Sequence, residues 1–167
     1  EPADPAPQQF ATLEPLEAAV LRIQPHTGEI EPYARGLRNP FDVTSDSAGT
    51  FYASDQGLVT GEGDRVLALA QGGHYGFPFW RARGCAECPF TPPGLEVLPD
   101  LVQLPIYAIP RGLVAYTATA FPQNYYDTLF VTLWNAIEGG QRVVHIDPRT
   151  VPTDPEARAA YVPEPFV

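Results

Sequence analysis

The stretch VLRIQPHT at positions 20–27 recurs as VVHIDPRT at positions 143–150, 123 residues later. A third copy of its opening begins at Val66, 46 residues after Val20 and 77 before Val143. Each copy is a short β-rich run, and a period near 46 residues is about what one four-stranded propeller blade requires. The sequence therefore predicts an all-β fold, a partial β-propeller made of four-stranded antiparallel blades.

Further short β-rich runs follow one another in the same order in both halves of the chain. They cover 41–44, 50–54 and 65–69 in the first half, and 113–116, 128–132 and 142–146 in the second. Between the first two runs, Asp46-Ser47-Ala48-Gly49 has the composition of a hairpin turn. The pattern thus predicts antiparallel strands joined by tight turns.

The domain boundaries follow from composition and from the repeat. Residues 1–17 are rich in Pro, Ala and Glu and are expected to form an extended linker. Residues 18–167 are expected to form the partial propeller, with a loop insertion at about 74–110. Two complete blades are fewer than the roughly four to eight that close a ring. The expected partners are therefore the remaining blades of a parent polypeptide or other copies of this chain.

Charge and hydropathy exclude two classes of partner. The chain has 10 Lys plus Arg against 20 Asp plus Glu, a formal net charge of −10. Neutralising phosphates requires a basic face, so nucleic-acid binding is not expected. Uncharged runs such as 101–110 contain proline and are shorter than the about 20 apolar residues of a membrane helix. No membrane span is expected.

The two cysteines, Cys85 and Cys88, are separated by two residues, a spacing shared by redox pairs, zinc half-sites and haem attachment. Position 89 is Pro89 rather than the histidine of a haem motif, and the surrounding prolines do not suit a redox helix. A loop clip, disulfide-bonded in an exported protein, is the favoured interpretation over a metal site. It indicates a location outside the cytoplasm.

Four motifs follow one another in the first half of the chain. They read ARGLRNPFDV at 34–43, ASDQGL at 53–58, GEGDRV at 61–66 and GGHYGFP at 72–78. In order and spacing this series resembles the soluble PQQ-dependent glucose and sorbosone dehydrogenases, six-bladed propellers that are secreted or periplasmic. The resemblance extends over about residues 18–150.

The resemblance implies a cofactor role for two neighbouring residues. Arg38 and Asn39 would contact the reactive quinone edge of PQQ, both as catalytic and as cofactor-binding residues. Arg presents a planar fork of donors to quinone or carboxylate oxygens, and Asn adds a neutral donor and acceptor. The alternative is that Arg38, Asn39 and Pro40 only fix the entrance of a blade. Arg111, which begins the second inner strand, is expected to be a further cofactor or substrate contact.

The resemblance also implies a Ca²⁺ site in which Gly57 and Leu58 provide main-chain carbonyl ligands. Leu58 stands where the family has proline, so that a pre-set bend is lost. The neighbouring acids Asp55, Glu62 and Asp64 either attract a hard cation or form a solvated acidic loop. The second interpretation is favoured for each of them.

Other residues with chemical potential are expected to be structural. His74 occupies the family's asparagine position without a partner for catalysis, and His26 and His145 are expected at the surface. Aromatic side chains are expected to pack between blades rather than to line a sugar cleft. These are Trp80, Tyr107, Tyr116, Phe121, Tyr125, Tyr126 and Trp134.

The family's general-base histidine and its PQQ-pairing lysine have no counterpart here, since only His26 precedes the RNP motif and the chain has no Lys. The expected function is part of a PQQ-dependent sugar dehydrogenase, which oxidises a sugar hydroxyl by hydride transfer to a Ca²⁺-bound quinone. The alternative is a non-catalytic propeller segment that binds a protein or a glycan.

Overall fold

The computed structural model describes residues 16–57, 64–78 and 94–166. These residues form ten strands, one 3₁₀ turn at Gln123–Tyr125 and one short helix. The elements are β1 Ala19–Ile23, β2 Ile30–Arg35, β3 Pro40–Ser45, β4 Phe51–Asp55, β5 Arg65–Leu69, β6 Val102–Gln103, β7 Pro110–Ala115, β8 Leu129–Leu133, β9 Arg142–Ile146, α1 Pro155–Ala159 and β10 Glu164–Pro165.

Eight of the strands form two four-stranded antiparallel sheets. The order is β3-β4-β5-β6 in the first and β10-β9-β8-β7 in the second, while β1 and β2 form a separate hairpin. We call the two sheets the first blade and the second blade. Their leading strands, β3 and β7, lie against each other, as inner strands of neighbouring propeller blades do. The predicted all-β partial propeller is confirmed.

The internal repeat corresponds to equivalent strands. Val66 lies on β5 and Val143 on β9, each the third strand of its blade. The last residue of each of these strands, Leu69 or Ile146, pairs with the first residue of the preceding strand. Val20 lies on β1, which pairs with β2, a strand that the sequence did not predict. The hairpin turn at Asp46–Gly49 is confirmed, since the Gly49 amide donates to the Asp46 carbonyl.

Two apolar clusters hold the blades together. The larger lies between the first and second blades and includes Val66, Val102, Leu129 and Ile146, all fully buried. The smaller lies between the β1-β2 hairpin and the first blade and is built around Leu37, Leu67 and Tyr75. Burying each such side chain contributes about 1.5–3 kcal/mol, so each blade depends on its neighbours for stability.

The two inner strands, β3 and β7, are joined by hydrogen bonds from backbone amides of β7 to side chains of β3. The amide of Leu113 donates to Asp42 Oδ2 at 2.9 Å, and the amide of Ala115 donates to Thr44 Oγ1 at 3.1 Å. These two amides of β7 would otherwise remain without acceptors at the edge of a sheet. Side chains of β3 therefore close the inner edge of the second blade and fix its position.

Both inner strands begin with a proline, and directly after it the pairing with the neighbouring strand is irregular. The register shifts between Pro40 and Asp42 in the first blade and between Pro110 and Leu113 in the second. A bulge of this kind bends the strand and re-aims the residues before it. Because Asp42 accepts from Leu113 and Thr44 accepts from Ala115, β3 and β7 run in the same direction, and the segments that precede them lie at the same end of the two blades.

The described part of the predicted insertion at 74–110 is not only loop. Val102–Gln103 forms β6, the fourth strand of the first blade, and Leu104 and Ala108 belong to the core. Residues 1–15 of the predicted linker lie outside the described residues, as do Cys85 and Cys88. No helix within the described ranges is long and apolar enough to cross a membrane.

Candidate functional site

The site is built on Asp55, the last residue of β4, whose side chain is 0% exposed. Asp55 Oδ1 accepts the backbone amide of Asn39 at 2.8 Å and that of Arg38 at 3.1 Å. Its other oxygen, Oδ2, accepts Arg65 Nε at 2.9 Å. The backbone of Arg38 and Asn39 is thus fixed by a buried carboxylate at the end of the neighbouring strand.

Arg65, the first residue of β5, is 4% exposed and balances this carboxylate. Its Nη2 lies 2.8 Å from Asp55 Oδ2, and its Nη1 lies 3.1 Å from Asp100 Oδ1. The guanidinium also donates to the carbonyls of Tyr75 and Gly36. Burial acts to lower the pKa of Arg65, but the two carboxylates outweigh it and raise that pKa. We call Asp55, Arg65 and Asp100 the buried ion cluster.

Asp100, the third member of the buried ion cluster, has a carboxyl group with a raised pKa. Burial raises the pKa of Asp100 to about 6, although the charge of Arg65 and its hydrogen bond act to lower it. The charge of Asp55 adds to the increase. Asp100 therefore titrates at about pH 6 in the folded protein, and the cluster takes up a proton as the pH falls through that value.

Arg38, Asn39 and Gly57 are brought together, as the sequence predicted for the cofactor site. Arg38 is partly buried, and its Nη1 donates to the carbonyl oxygen of Gly57 at 2.7 Å. Asn39 is exposed, and its Nδ2 donates to Gln56 Oε1 at 3.0 Å. Leu58, the second predicted Ca²⁺ ligand, lies outside the described residues.

Asp64 connects this site to the second blade. Its Oδ1 accepts the Gly57 amide at 2.8 Å, and its Oδ2 accepts the Ile109 amide at 2.5 Å. Burial raises the pKa of Asp64, although these two amides act to lower it. The predicted solvated acidic loop is wrong for Asp55 and Asp64, because both are buried and both accept backbone donors. Glu62 lies outside the described residues.

Arg111 lies on β7 beside the inner strand of the first blade. Its guanidinium carbon is 4.5 Å from the ring centroid of Phe41, a cation–π contact, and its carbonyl accepts Ser54 Oγ at 3.0 Å. The structure therefore places this cation against β3, where the two inner strands meet. Its predicted contact with a cofactor or substrate stays a prediction.

The histidines divide into three environments. His26 is exposed, as predicted, and His74 Nδ1 accepts the Gly76 amide at 3.0 Å, which fits a structural role. Burial and the charges of Arg35 and Arg65 lower the pKa of His74. The prediction that His145 lies at the surface is wrong.

His145 is half-buried because its ring packs against the aromatic residues of the second blade. Its ring centroid is 5.1 Å from that of Tyr125, and its buried Nε2 has no hydrogen-bond partner among the described residues. The expectation that the aromatic residues pack between blades is also wrong for Trp134, which is 66% exposed. Trp80 lies outside the described residues.

Sequence reasoning missed Arg65, Asp100 and the buried Tyr75. A signal existed for Arg65, because Asp55 directly follows the predicted run 50–54 and Arg65 begins the run 65–69, so a hairpin makes them cross-strand neighbours. For Asp100 and Tyr75 the sequence offers no such signal, since loops bring both to the cluster.

The described residues form two neighbouring blades of a β-propeller, which is the class of fold to which the chain belongs. No family model matches the chain. A curated protein of Borreliella burgdorferi, described as uncharacterized, is 29% identical over 133 residues, which cover 71% of this chain and 35% of that protein.

Solved structures resemble the chain in fold. The PQQ-bound aldose sugar dehydrogenase of Streptomyces coelicolor matches 90% of this chain and 39% of its own, with 20% identity and a TM-score of 0.59. A glucose dehydrogenase matches 86% of this chain and 38% of its own, with 17% identity and a TM-score of 0.57. The soluble aldose sugar dehydrogenase of Escherichia coli, in its apo-form, matches 69% and 33%, with 17% identity and a TM-score of 0.53. The chain spans less than two fifths of these proteins, and the likeness shows the fold.

The described hydrogen-bond donors of Arg38 and Asn39 suit an anionic quinone. Arg38 and Asn39 present guanidinium and amide groups at a partly open position, which suits quinone and carboxylate oxygens. The Gly57 carbonyl, by contrast, accepts a cationic donor, and the oxygens of Asp55 and Asp64 accept protein donors. Within the described ranges no group of three or more His, Cys, Asp or Glu is placed to hold a metal ion. The predicted Ca²⁺ site at Gly57 and Leu58 stays a prediction, because Leu58 lies outside the described residues.

Proposed function

We propose that this chain is part of a PQQ-dependent sugar dehydrogenase that oxidises an aldose or sorbosone hydroxyl, and that Arg38 and Asn39 face the cofactor. The observation that carries the proposal is the fixing of the Arg38 and Asn39 backbone on the buried carboxylate of Asp55. Bound PQQ would supply the two-electron acceptor for the hydride that leaves the sugar carbon. The fold of the PQQ-bound Streptomyces coelicolor enzyme supports this reading.

The role of Arg38 is electrostatic. A guanidinium directed at a quinone oxygen stabilises negative charge that develops there, and it does so most effectively when it need not reorganise. Asp55 and Arg65 provide that rigidity, since they hold the backbone at Arg38 from inside the first blade. Asn39, whose amide the same carboxylate fixes, adds a neutral hydrogen-bonding group at the exposed end.

The proton of the sugar hydroxyl needs a base that the described residues do not provide beside Arg38. His26 is exposed on the turn after β1, and the ring of His145 packs among aromatic residues of the second blade. In this proposal a histidine from a blade outside the chain accepts the proton. Secretion or export to the periplasm, as in the family that the motifs resemble, belongs to the same proposal.

The proposal is tested by titrating the protein at its natural length with PQQ in excess Ca²⁺, following the quinone fluorescence. Replacement of Arg38 by Gln removes a charged hydrogen bond and is expected to weaken binding about 10- to 100-fold. The matched control is Arg22→Gln, because Arg22 is an exposed cation on β1 that pairs with Glu31. Absence of PQQ binding, or equal binding by the Arg38 and Arg22 variants, would contradict the proposal.

The second candidate function is a non-catalytic propeller segment that binds a protein or a glycan. The observation that favours it is the Gly57 carbonyl, which already accepts Arg38 Nη1. The two candidate functions are distinguished by measuring dye-linked oxidation of aldoses with the protein saturated with PQQ. Oxidation supports the dehydrogenase, whereas a protein that binds glycans without oxidising them supports the binding segment.

A further inference from the structure

We propose that Asp100 is a positioning residue of this site, which acts through Arg65 and Asp55, and that loss of its negative charge strengthens the binding of the anionic ligand. The inference rests on the proposed function for the identity of that ligand, an anionic quinone. It goes beyond the proposed function because Asp100 controls the affinity of the site without touching the ligand.

A continuous series of contacts joins Asp100 to the proposed site. Asp100 Oδ1 lies 3.1 Å from Arg65 Nη1, and Nη2 of the same guanidinium lies 2.8 Å from Asp55 Oδ2. Asp55 Oδ1 accepts the backbone amides of Arg38 and Asn39. The three side chains of the buried ion cluster belong to residues that are at most 5% exposed. Water therefore screens a change of charge at Asp100 only weakly from the other end of the series.

The buried ion cluster carries more negative than positive charge when Asp100 is ionised. The guanidinium of Arg65 is then shared between two carboxylates, those of Asp55 and Asp100. When Asp100 is neutral, Arg65 is attracted to Asp55 alone, and the charges of the cluster balance. An anion beside Arg38 is then no longer opposed by an uncompensated buried carboxylate, so it binds more tightly.

The environment of Asp100 allows its charge to change. Its Oδ2 is buried and has no hydrogen-bond partner in the described part of the chain, although Gln103 acts to lower the pKa of the carboxyl group. A carboxylate oxygen without a donor is poorly stabilised in the charged form. Because burial raises the pKa to about 6, Asp100 is mainly ionised at about pH 7.5 and mainly neutral at about pH 5.

Other charged or titratable groups lie around the buried ion cluster. The guanidinium of Arg158 on α1 donates to the backbone carbonyl of Asp100 at 3.3 Å. Burial and the charges of Arg35 and Arg65 lower the pKa of His74. The groups around Asp100 are Asp55 on β4, Arg65 on β5, His74 and Tyr75 after β5, and Arg158 on α1. Since His74 also responds to pH, the test compares a variant of Asp100 with wild type at each pH.

The experiment measures the dissociation constant for PQQ at about pH 7.5 and about pH 5, with the protein at its natural length and excess Ca²⁺ throughout. Asp100→Asn keeps the shape of the side chain and makes it neutral at both pH values. At about pH 7.5 we expect the variant to bind PQQ about 3- to 10-fold more tightly than wild type. At about pH 5 the two constants are expected to agree within about twofold. Equal or weaker binding by Asp100→Asn at the higher pH would overturn the inference.

The matched control is Asp154→Asn, which removes one negative charge from an exposed position. Asp154 caps α1 by accepting the Ala157 amide at 2.9 Å, and asparagine caps a helix equally well. The affinity for PQQ is expected to stay within about twofold of wild type, because water and salt screen a surface charge. An increase as large as that of Asp100→Asn would show that overall charge explains the effect, and would overturn the inference. Absence of PQQ binding by all three proteins would instead contradict the proposed function.

A second measurement follows the effect on Arg38 and Asn39 without a ligand. Their amide resonances are recorded by NMR between about pH 4.5 and about pH 8 in wild type and Asp100→Asn, and melting temperatures confirm that both proteins are folded. In wild type we expect both resonances to titrate with a midpoint at about pH 6, and in the variant we expect that titration to be absent. Resonances that do not titrate near pH 6 in wild type, or that titrate equally in the two proteins, would overturn the inference.

Discussion

The two blades share one hydrogen-bonding register but differ in what they bury at the end near the proposed site. Where β4 ends in Asp55 opposite Arg65, β8 ends in Leu133 opposite Arg142. The first pair forms a buried ion pair, whereas Leu133 is part of the apolar core and Arg142 is half-buried. The backbone of the blade therefore does not by itself specify a site, and in the first blade the Asp55–Arg65 pair fixes the amides of Arg38 and Asn39.

The buried ion cluster positions the backbone of the site more than it stabilises the fold. Removing charges from water is costly, and a buried ion pair often stabilises a fold no better than apolar residues of the same size. The second blade, with Leu133 at the equivalent place, shows that the register forms without such a pair. In the first blade the cluster fixes the amides of Arg38 and Asn39, which an apolar side chain would leave without an acceptor.

The largest expected effect comes from breaking the cluster at Arg65. Replacement of Arg65 by Met leaves the carboxylates of Asp55 and Asp100 buried together without a counter-ion. We expect the free energy of unfolding to fall by about 3–5 kcal/mol, measured by urea denaturation near neutral pH.

The matched control for this change is Arg142→Met in the second blade. Arg142 is the first residue of β9, as Arg65 is of β5, and its Nε donates to the Gly140 carbonyl at 3.3 Å. A change of about 0.5 kcal/mol or less is expected there. Similar losses for the two variants would show that the comparison between the blades is wrong.

The second effect is a pH dependence that comes from Asp100 in the first blade. The pKa of Asp100 is about 6 in the folded protein against 3.8 for the unfolded reference, so the folded state holds the extra proton between these values. Stability from this group is therefore fully present below pH 3.8 and is lost as the pH rises through 6. The difference between the two pKa values corresponds to about 3 kcal/mol.

Asp100→Asn isolates this contribution, because Asp46 and Asp147 have lowered pKa values and act in the opposite direction. The stability of the variant relative to wild type is expected to rise by up to about 3 kcal/mol between pH 4 and pH 7. Urea denaturation at a series of pH values measures this difference. If the difference in stability does not vary with pH, the raised pKa of Asp100 is wrong.

The smallest effect concerns the connection between the blades through Asp64. Asp64→Asn retains one acceptor oxygen for two amides, the part-buried one of Gly57 and the buried one of Ile109, so one amide loses its partner. We expect a loss of about 1–2 kcal/mol in stability and faster hydrogen exchange at one of these amides, followed by NMR.

The control is Asp127→Asn, since Asp127 also accepts a backbone amide, that of Ser47, but in an exposed position. A change below about 0.5 kcal/mol is expected there. If exchange at Gly57 and Ile109 is the same in Asp64→Asn as in wild type, Asp64 does not couple the two blades.

The strands could be predicted closely, whereas the contacts of the site could not. β5 and β9 have the predicted bounds, because short apolar runs between turn residues specify strands locally. Arg38, Asn39 and Gly57 were predicted as neighbours and lie together, although their role with a cofactor stays a prediction. The burial of Asp55 and Asp64 was missed, because carboxylates in a loop are usually solvated.

Most of the strands, the turn at 46–49 and the repeat that relates β5 to β9 follow from the sequence alone, because these features depend on side-chain alternation and turn chemistry within a few residues. The sequence does not show that Arg65 meets Asp100, 35 residues away, or that Asp64 accepts the amide of Ile109, 45 residues away. Such contacts depend on how the blades pack and where the loops return, and a buried charge is stable only where that packing supplies its partner.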